Sequence, residues 1–380
     1  MVISVRDRVI VISISGNMFW RYDSQAAPSY TSTQFNRFIT ESSASSSQSN
    51  GSSSGTDDRK VLWLHVYCNI HRNIVSLVLP EVRLETTTFS SSLVPDPVTY
   101  SVLLPPGYSS TDTSYPLLYW LHGGDGDHNF LAGSVSTFNG LWAAGSLPEM
   151  VVVTPTATQT GYLDYHDGSQ RWESFLTGEF LNHLRQHYRI SEDRQRTCIS
   201  GVSMGGGGAL NIGLKHLDLF GVILAWEPFV DAAYEWPEAK STNLFYHVAD
   251  PVDKFGDPID EAYWAANNPA TTVRDHAQTI RESGIQIYIE VGSEDALESF
   301  RGTEFLHRVL FDHNICHEYR YVAGADHVGE SFNWRLPDGL SFLSRAMAPP
   351  AEDPGVTRFR EWADALKQMG QQKRQDRAEP

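Results

Sequence analysis

The feature that most constrains this chain is a serine between closely spaced glycines, in the run G-V-S-M-G from Gly201 to Gly205. An apolar run typical of a buried strand precedes it, and a pattern typical of a helix follows. A strand that turns directly into a helix leaves little room for side chains, which explains the glycines on either side of Ser203. The turn exposes the hydroxyl beside the helix N-terminus, whose N–H groups favour developing negative charge. A glycine-rich loop would show the same short pattern, so the interpretation depends on partners for Ser203.

The distribution of apolar residues predicts the fold class. Apolar runs typical of buried strands alternate with helical patterns such as 173–188 and 271–283. Strands joined by helical crossovers are buried on both faces, so this alternation predicts an α/β fold with a mostly parallel central sheet and helices on both faces. The segment 82–104 predicts an antiparallel hairpin at the N-terminal edge of the sheet. The predicted buried strands are 117–121, 150–154, 197–200, 222–225 and 285–291.

Composition divides the chain into three parts. A Ser/Gly/Asn tract at 42–55 lacks the apolar side chains that would offset the entropy of ordering, so we predict a low-complexity, disordered N-terminal extension over 1–58. Residues 61–346 carry the strand and helix pattern and are predicted to form the catalytic domain. Residues 347–380 are predicted to form a C-terminal helix, on the domain or on a partner, and then a polar tail. The apolar residues at helical spacing in that helix are Phe359, Trp362, Leu366 and Met369.

A serine hydroxyl needs a base to act as a nucleophile near neutral pH, and His327 is the best candidate. It lies in a glycine-rich loop after the predicted strand 318–322. In α/β-hydrolases the order along the chain is serine, acid and then a histidine on a late loop, which His327 satisfies. His122 precedes Ser203 and fits that order poorly. The competing interpretation of His327 is a surface histidine in a turn.

The acid should follow a strand between Ser203 and His327. Asp295 comes just after the predicted strand 285–291 and is our first choice, with Glu294 as the second. A carboxylate at this place would hold the imidazole tautomer and stabilise the imidazolium that forms during the reaction. The competing interpretation is an N-cap for a helix predicted at 296–310, a role that Asp295 could combine with catalysis.

Two backbone N–H groups would be needed to stabilise the oxyanion formed when Ser203 attacks a carbonyl. Met204, directly after the serine, should supply one of them. The second should come from the glycine-rich loop 122–127, where Gly124 is our choice and Gly123 or Asp125 are alternatives. The loop has neither a G-x-G-x-x-G nor a G-K-[ST] pattern, which disfavours a nucleotide or phosphate site.

Four sequence segments, taken together, resemble one known family. They are P-P-G-Y at 105–108, Y-P-L-L-Y-W-L-H-G-G at 115–124, W-E-S-F-L at 172–176, and Asp326-His327 followed by Trp334. In these segments the chain resembles the Putative esterase family. That family includes S-formylglutathione hydrolase, feruloyl and acetyl-xylan esterases, enterochelin esterases and the mycolyltransferases. The resemblance covers roughly 82–346 and does not select one member.

The resemblance implies an α/β-hydrolase fold and a serine mechanism that uses no metal and no cofactor. It also implies that Ser203, Asp295 and His327 are the catalytic triad. The chain departs from the family at one point, where a bulky tryptophan and a charged glutamate follow the strand after the serine and many members carry small residues. Substrate preference therefore does not transfer from any member.

Aromatic side chains near the loops at the carboxyl edge of the sheet could form a binding pocket. Trp172, Trp226 and Glu227 are predicted to line it, and the last two would narrow it. Aromatic walls suit a sugar ring or a phenolic acyl group. The competing interpretation for each aromatic residue is packing in the core.

Composition limits the classes of partner. The net charge of −17, from 46 acidic and 29 basic residues, disfavours nucleic acid or an anionic membrane as the main partner. Three cysteines without a C-x-x-C pair disfavour a disulfide framework and a structural zinc site, and no metal is predicted. We find no apolar run suited to a membrane span and no convincing export signal, so the compartment stays open with the cytoplasm slightly favoured. The oligomeric state is not predicted.

The leading functional prediction is a serine carboxylic-ester hydrolase that acts on a small-molecule ester through an acyl-enzyme. An acyltransferase would use the same triad with an alcohol in place of water, and the sequence does not separate the two. A third possibility is a non-catalytic binding protein with a hydrolase fold. That possibility predicts a broken triad, whereas the residues for a complete triad are present in this sequence.

Overall fold

The structure, a computed structural model, describes residues 2–5, 8–11, 67–70, 73–76, 82–248, 250–348, 351 and 353–378. The chain divides into two units, 1–80 and 81–380. The described part of the first unit consists of two antiparallel hairpins, β1 (Val2–Val5) with β2 (Arg8–Val11) and β3 (Tyr67–Ile70) with β4 (Asn73–Ser76). The rest of the predicted extension over 1–58 lies outside the described residues, so its disorder stays a prediction.

The second unit is built on one eight-stranded sheet. Its order is β12-β11-β10-β9-β7-β8-β6-β5, and β5 and β6 form the antiparallel edge while the other six strands are parallel. This confirms the predicted α/β fold with a mostly parallel sheet and an antiparallel N-terminal edge. The strands are β5 (Arg83–Phe89), β6 (Val98–Leu104), β7 (Leu117–Leu121), β8 (Val151–Pro155), β9 (Thr197–Val202), β10 (Val222–Trp226), β11 (Gln286–Gly292) and β12 (Glu318–Val322).

Helices cover both faces of the sheet, and each face has its own apolar cluster. In β7, Tyr119 points into one cluster and Trp120 into the other, because successive side chains of a strand face opposite sides. Since both faces are buried, the central strands carry continuous apolar runs. The helices are α1 (Phe130–Ala143), α2 (Trp172–Ser174), α3 (Phe180–His187), α4 (Met204–Lys215), α5 (Trp236–Thr242), α6 (Val252–Phe255), α7 (Glu261–Ala266), α8 (Pro269–Ser283), α9 (Phe300–Asp312), α10 (Glu330–Met347) and α11 (Pro354–Ala378).

Two helices differ from the sequence prediction. The predicted helix 173–188 is divided, because a π-helical segment, Phe175–Glu179, separates α2 from α3. The helix predicted at 296–310 begins only at Phe300, since the residues before it form turns. This later start bears on the role of Asp295, as described below.

The C-terminal helix α11 forms where the apolar spacing predicts it. Its apolar residues are exposed, with Phe359 at 63% and Trp362 at 56% relative exposure, so they are not packed on the described part of the domain. Within the part of the chain that the structure describes, no helix combines the length and hydropathy needed to cross a bilayer.

Candidate active site

Ser203 lies at a sharp turn between β9 and α4. Its φ of +57° and ψ of −120° are unusual for a residue with a side chain, and three backbone hydrogen bonds hold this conformation. The Ser203 N–H donates to the carbonyl of Trp226 at 2.9 Å. The Ser203 carbonyl accepts from the N–H groups of Gly207 and Phe229, both at 3.0 Å. Ser203 is therefore fixed by the backbone of β10, of the loop after it and of its own helix.

The glycines on either side of Ser203 allow close backbone contact. A Cβ atom on Gly205 would lie 2.3 Å from the carbonyl oxygen of Leu121 in β7. A Cβ atom on Gly201 would lie 2.5 Å from the backbone of Gly205. No side chain fits at either place, which is the steric reason for the G-x-S-x-G spacing.

The predicted base and acid lie next to Ser203. His327 Nε2 is 2.9 Å from the Ser203 hydroxyl oxygen, and His327 Nδ1 is 2.9 Å from Asp295 Oδ2. An ionised carboxylate only accepts hydrogen bonds, so Nδ1 carries the proton and Nε2 is free to accept the serine proton. Ser203 and His327 are 124 positions apart along the chain, and Asp295 and His327 are 32 positions apart. The three side chains nevertheless form one hydrogen-bonded row.

Asp295 is buried and ionised. Burial by itself would raise the pKa of its carboxyl, but the hydrogen bond and charge of His327, with the N–H of Leu297, outweigh burial and hold that pKa below its usual range. The Leu297 N–H donates to Asp295 Oδ1 at 2.8 Å. Because α9 begins only at Phe300, Asp295 does not cap that helix. The alternative acid, Glu294, is exposed and makes no hydrogen bond to His327 in the described structure.

His122 is fully buried and has a structural role in the loop after β7. The Ala157 N–H donates to His122 Nε2 at 3.0 Å, so Nδ1 carries the proton and donates to the Gly123 carbonyl at 2.6 Å. Burial lowers the pKa of His122, which favours the neutral ring. Both ring nitrogens are thus occupied by the backbone, and His122 orients the glycine loop instead of activating Ser203. Sequence reasoning set His122 aside as a base but did not assign this role.

The predicted oxyanion donors border the same turn. Met204 is the first residue of α4, and the first N–H groups of a helix have no partner within it. In the loop after β7, Gly123 lies against Ser203, because a Cβ atom placed on it would be 3.4 Å from the Ser203 Cβ. A Cβ atom on Gly124 would meet nothing within 4 Å. The choice of Met204 and Gly124 as donors stays a prediction.

The three residues predicted to line the pocket lie in the interior. Trp172 is 5% exposed and packs edge-on against Phe175, and Trp226 is fully buried with its ring 5.3 Å from that of Trp120. Glu227 is also fully buried and is paired with Arg335. These buried positions agree with the competing interpretation of core packing, and the assignment of the three residues to the pocket stays a prediction.

Glu227 and Arg335 form a buried ion pair that sequence reasoning missed. Arg335 Nη1 donates to a Glu227 oxygen and lies 3.3 Å from Glu290 Oε1. The Gly292 N–H donates to the Glu227 carboxylate at 3.1 Å. A charged residue at the end of a buried strand was the available signal, because a buried charge requires a partner. The partner itself is 108 positions away and could not be identified from spacing.

Among the described residues, one group has the ligand types for a metal ion. Glu227, Asp295 and His327 each offer one atom, and these atoms lie within 4.8 Å of one another. Both nitrogens of His327 and the oxygens of Glu227 are already hydrogen-bonded to protein groups, and the Arg335 cation contacts Glu227. This arrangement favours proton transfer over metal binding.

The family model described as Putative esterase matches residues 90–343, which include Ser203, Asp295 and His327. The chain belongs to this family. Membership confirms the resemblance drawn from the sequence segments. It also agrees with the eight-stranded sheet and with the turn that carries Ser203.

Individual relatives are similar over part of their length. An esterase of Mycobacterium tuberculosis is 28% identical over 124 residues, which are 32% of this chain and 26% of that protein. S-formylglutathione hydrolase of Arabidopsis thaliana is 29% identical over 168 residues, 38% of this chain and 57% of that protein. The matches therefore span about a quarter and just over half of these curated relatives.

A solved structure of a ferulic acid esterase has the same fold. It superposes with a TM-score of 0.59 and 24% identity, covering 70% of this chain and 99% of that one. The match supports the α/β-hydrolase fold and is too distant in sequence to transfer a substrate.

Proposed function

We propose that this protein is a serine carboxylic-ester hydrolase that acts on small-molecule esters through an acyl-enzyme. The observation that carries the proposal is the hydrogen-bonded row from Ser203 through His327 to Asp295, with 2.9 Å at each step. Membership in the Putative esterase family supports an ester as the substrate class.

In the first half of the reaction, His327 Nε2 takes the Ser203 proton while the serine oxygen attacks the ester carbonyl carbon. The N–H groups of Met204 and Gly124 stabilise the tetrahedral oxyanion. The His327 imidazolium then protonates the departing alcohol oxygen as the C–O bond breaks, and the acyl group stays on Ser203.

In the second half, a water molecule gives its proton to His327 Nε2 and attacks the acyl carbonyl carbon. The tetrahedral intermediate collapses, the serine oxygen leaves with the proton from His327, and the carboxylic acid is released. The Asp295 carboxylate holds the Nδ1–H tautomer throughout and stabilises the imidazolium in both halves. An alcohol in place of water would give acyl transfer, which the same triad could perform.

The test is hydrolysis of p-nitrophenyl esters from acetate to octanoate, and of a feruloyl ester, by the wild type and Ser203→Ala. We expect activity in the wild type and a loss of about a thousandfold or more in the variant. The wild type should also be labelled at Ser203 by a fluorophosphonate. A folded wild type that hydrolyses no ester and takes no label would contradict the proposal.

An added acceptor alcohol separates hydrolysis from transfer. Free acid as the main product supports the hydrolase. An ester of the added alcohol, formed beside little acid, would favour the acyltransferase.

A further inference from the structure

The Glu227–Arg335 ion pair connects the two loops that carry the acid and the base. Glu227 accepts a hydrogen bond from the N–H of Gly292, three residues before Asp295. Arg335 Nη2 donates at 2.9 Å to the carbonyl of the residue directly before His327. The Glu227 backbone also forms part of the link, since its N–H donates to the Glu290 carbonyl at 2.8 Å.

A gain in stability does not by itself explain why the Glu227–Arg335 pair is buried. Both side chains are fully buried, and taking two charges out of water generally offsets most of their mutual attraction. Glu227 also adopts a φ of +46°, which is uncommon for a residue with a side chain. The mechanism above uses neither residue, although both lie beside the triad.

The Glu227 carboxylate lies close to Asp295 and His327. One of its oxygens lies within 4.8 Å of ligand atoms of both Asp295 and His327, at a place where little water screens the interaction. A second negative charge beside His327 favours the imidazolium that forms when Ser203 gives up its proton.

The other charged and titratable groups around Glu227 lie on α10, β11, β12 and the loops after these two strands. Arg335 comes from α10, and Glu290 comes from β11 and shares Nη1 of Arg335. Beyond Glu290 lie Arg320 of β12, 3.3 Å from it, and Tyr288, whose hydroxyl donates to Glu290. Farther out, Asp338 of α10 lies 3.3 Å from Arg320.

Asp295 and His327 face Glu227 from the loops after β11 and β12. Glu290 thus has two arginine neighbours, Arg335 and Arg320, whereas Glu227 is paired with Arg335 alone among these arginines and also faces the triad.

We propose that Glu227, held by Arg335, is a positioning residue for the reaction: it fixes the His327 loop against the Asp295 loop, and its negative charge stabilises the His327 imidazolium. This inference rests on the proposed function. Burial, only partly offset by Arg335, raises the pKa of the Glu227 carboxyl to about 7, so the charge would be lost on mild acidification.

The test compares Glu227→Gln with Glu290→Gln. Each variant removes one carboxylate from Arg335, but only Glu227 belongs to the group around His327. For Glu227→Gln we expect kcat/KM to fall about tenfold with KM little changed, and the acidic limb of the pH–rate profile to move about one unit lower, because one unit corresponds to a tenfold change. Glu290→Gln should leave the limb at its wild-type pH. Circular dichroism and urea unfolding show whether each variant is folded.

Three outcomes overturn the inference. The first is a limb that does not move in folded Glu227→Gln, and the second is the same shift in Glu290→Gln. Glu227→Asp covers the case in which Glu227→Gln does not fold. This variant keeps the negative charge, so the acidic limb of its pH–rate profile should stay at the wild-type pH. A limb that moves by one unit in Glu227→Asp is the third outcome that overturns the inference.

The pH dependence of fluorophosphonate labelling at Ser203 keeps the two proposals apart. Labelling needs an activated serine but no ester turnover. Wild-type labelling without hydrolysis of any ester would contradict only the proposed function, and the shift of the labelling limb would still test Glu227. Normal turnover with an unmoved limb would contradict only the role of Glu227. A folded wild type that shows neither labelling nor turnover would contradict both.

Discussion

Two regions around the Ser203 hydroxyl are held in place by different interactions. After the roles proposed above, the turn that carries Ser203 is the nucleophile side, and the loops that carry Asp295 and His327 are the base side. On the nucleophile side, Gly201 and Gly205 bring backbone against backbone, and the Ser203 N–H and carbonyl are hydrogen-bonded to backbone groups. On the base side, His327 is held by Asp295 and by the buried Glu227–Arg335 pair. Close packing fixes the serine, whereas hydrogen bonds to a carboxylate and to a buried ion pair fix the histidine and its loop.

This difference predicts what mutations do on each side. A side chain added on the nucleophile side would collide with the backbone, so a substitution there should lower the free energy of unfolding. A charge can be removed while volume is kept, so an isosteric change on the base side should act mainly on activity. Removing the arginine that holds both buried carboxylates should act on both.

The largest expected effect is on activity. Asp295→Asn keeps the shape of the side chain but places an amide beside Nδ1, which disfavours the tautomer that Ser203 needs. We expect kcat/KM to fall by about 10³–10⁴, with the unfolding free energy changed by less than about 1 kcal/mol at pH 8. Steady-state kinetics and urea unfolding on the same preparations check both numbers. A large loss of stability would show that the two sides do not separate in this way.

Removal of the arginine comes next. Arg335→Met leaves the Glu227 and Glu290 carboxylates buried without their shared cation, and we expect the unfolding free energy at pH 8 to fall by about 3–5 kcal/mol. Arg308→Met is the control, because Arg308 and Asp312 form an exposed pair whose loss should cost less than about 0.5 kcal/mol. Equal losses in the two variants would contradict the importance of burial.

On the nucleophile side, Gly205→Ala adds one methyl group at 2.3 Å from the Leu121 carbonyl oxygen. We expect a loss of about 3 kcal/mol in unfolding free energy, since the β7 backbone cannot move aside cheaply. Gly140→Ala in α1 is the matched control, because its Cβ would meet nothing within 4 Å and alanine favours the helix. A stable Gly205→Ala would weaken the claim that close packing fixes the serine.

The smallest effect concerns pH. Because the pKa of Glu227 is raised in the folded protein to about 7, from 4.5 for an ordinary glutamate, the folded state binds more protons between these values, and its stability falls as pH rises through that window. The contribution is up to roughly 3 kcal/mol. The pKa of Asp295 is lowered, so its stabilisation is lost only at more acidic pH. Urea unfolding at pH 5 and pH 8 should show a smaller decrease in Glu227→Gln than in the wild type, and equal decreases would contradict this assignment.

Much of the nucleophile side could be predicted from the sequence because its determinants are local. The glycines, the serine and the strand before them lie within a few residues, so their spacing reports the turn directly. Asp295 and His327 were also accessible, since each follows a recognisable strand. The predicted helix at 296–310 was wrong in its start, because turn residues after Asp295 can continue a helical pattern without forming a helix.

The direction in which the predicted pocket residues point could not be predicted from the sequence. Trp172, Trp226 and Glu227 were predicted near the carboxyl edge of the sheet, but which way each side chain points depends on the packing of both faces. The apolar residues of α11 are a second example. Their spacing predicts the helix but says nothing of what covers them.

The sequence by itself determined the α/β class and the turn at Ser203, and it singled out Asp295 and His327 after later strands, because strand periodicity and glycine spacing are properties of neighbouring residues. Only the tertiary structure decided that Glu227 faces His327 and that Arg335 is the counter-charge of Glu227. The reason is physical: a buried charge requires a counter-charge nearby in space, but that requirement places no limit on how far away along the chain the partner lies.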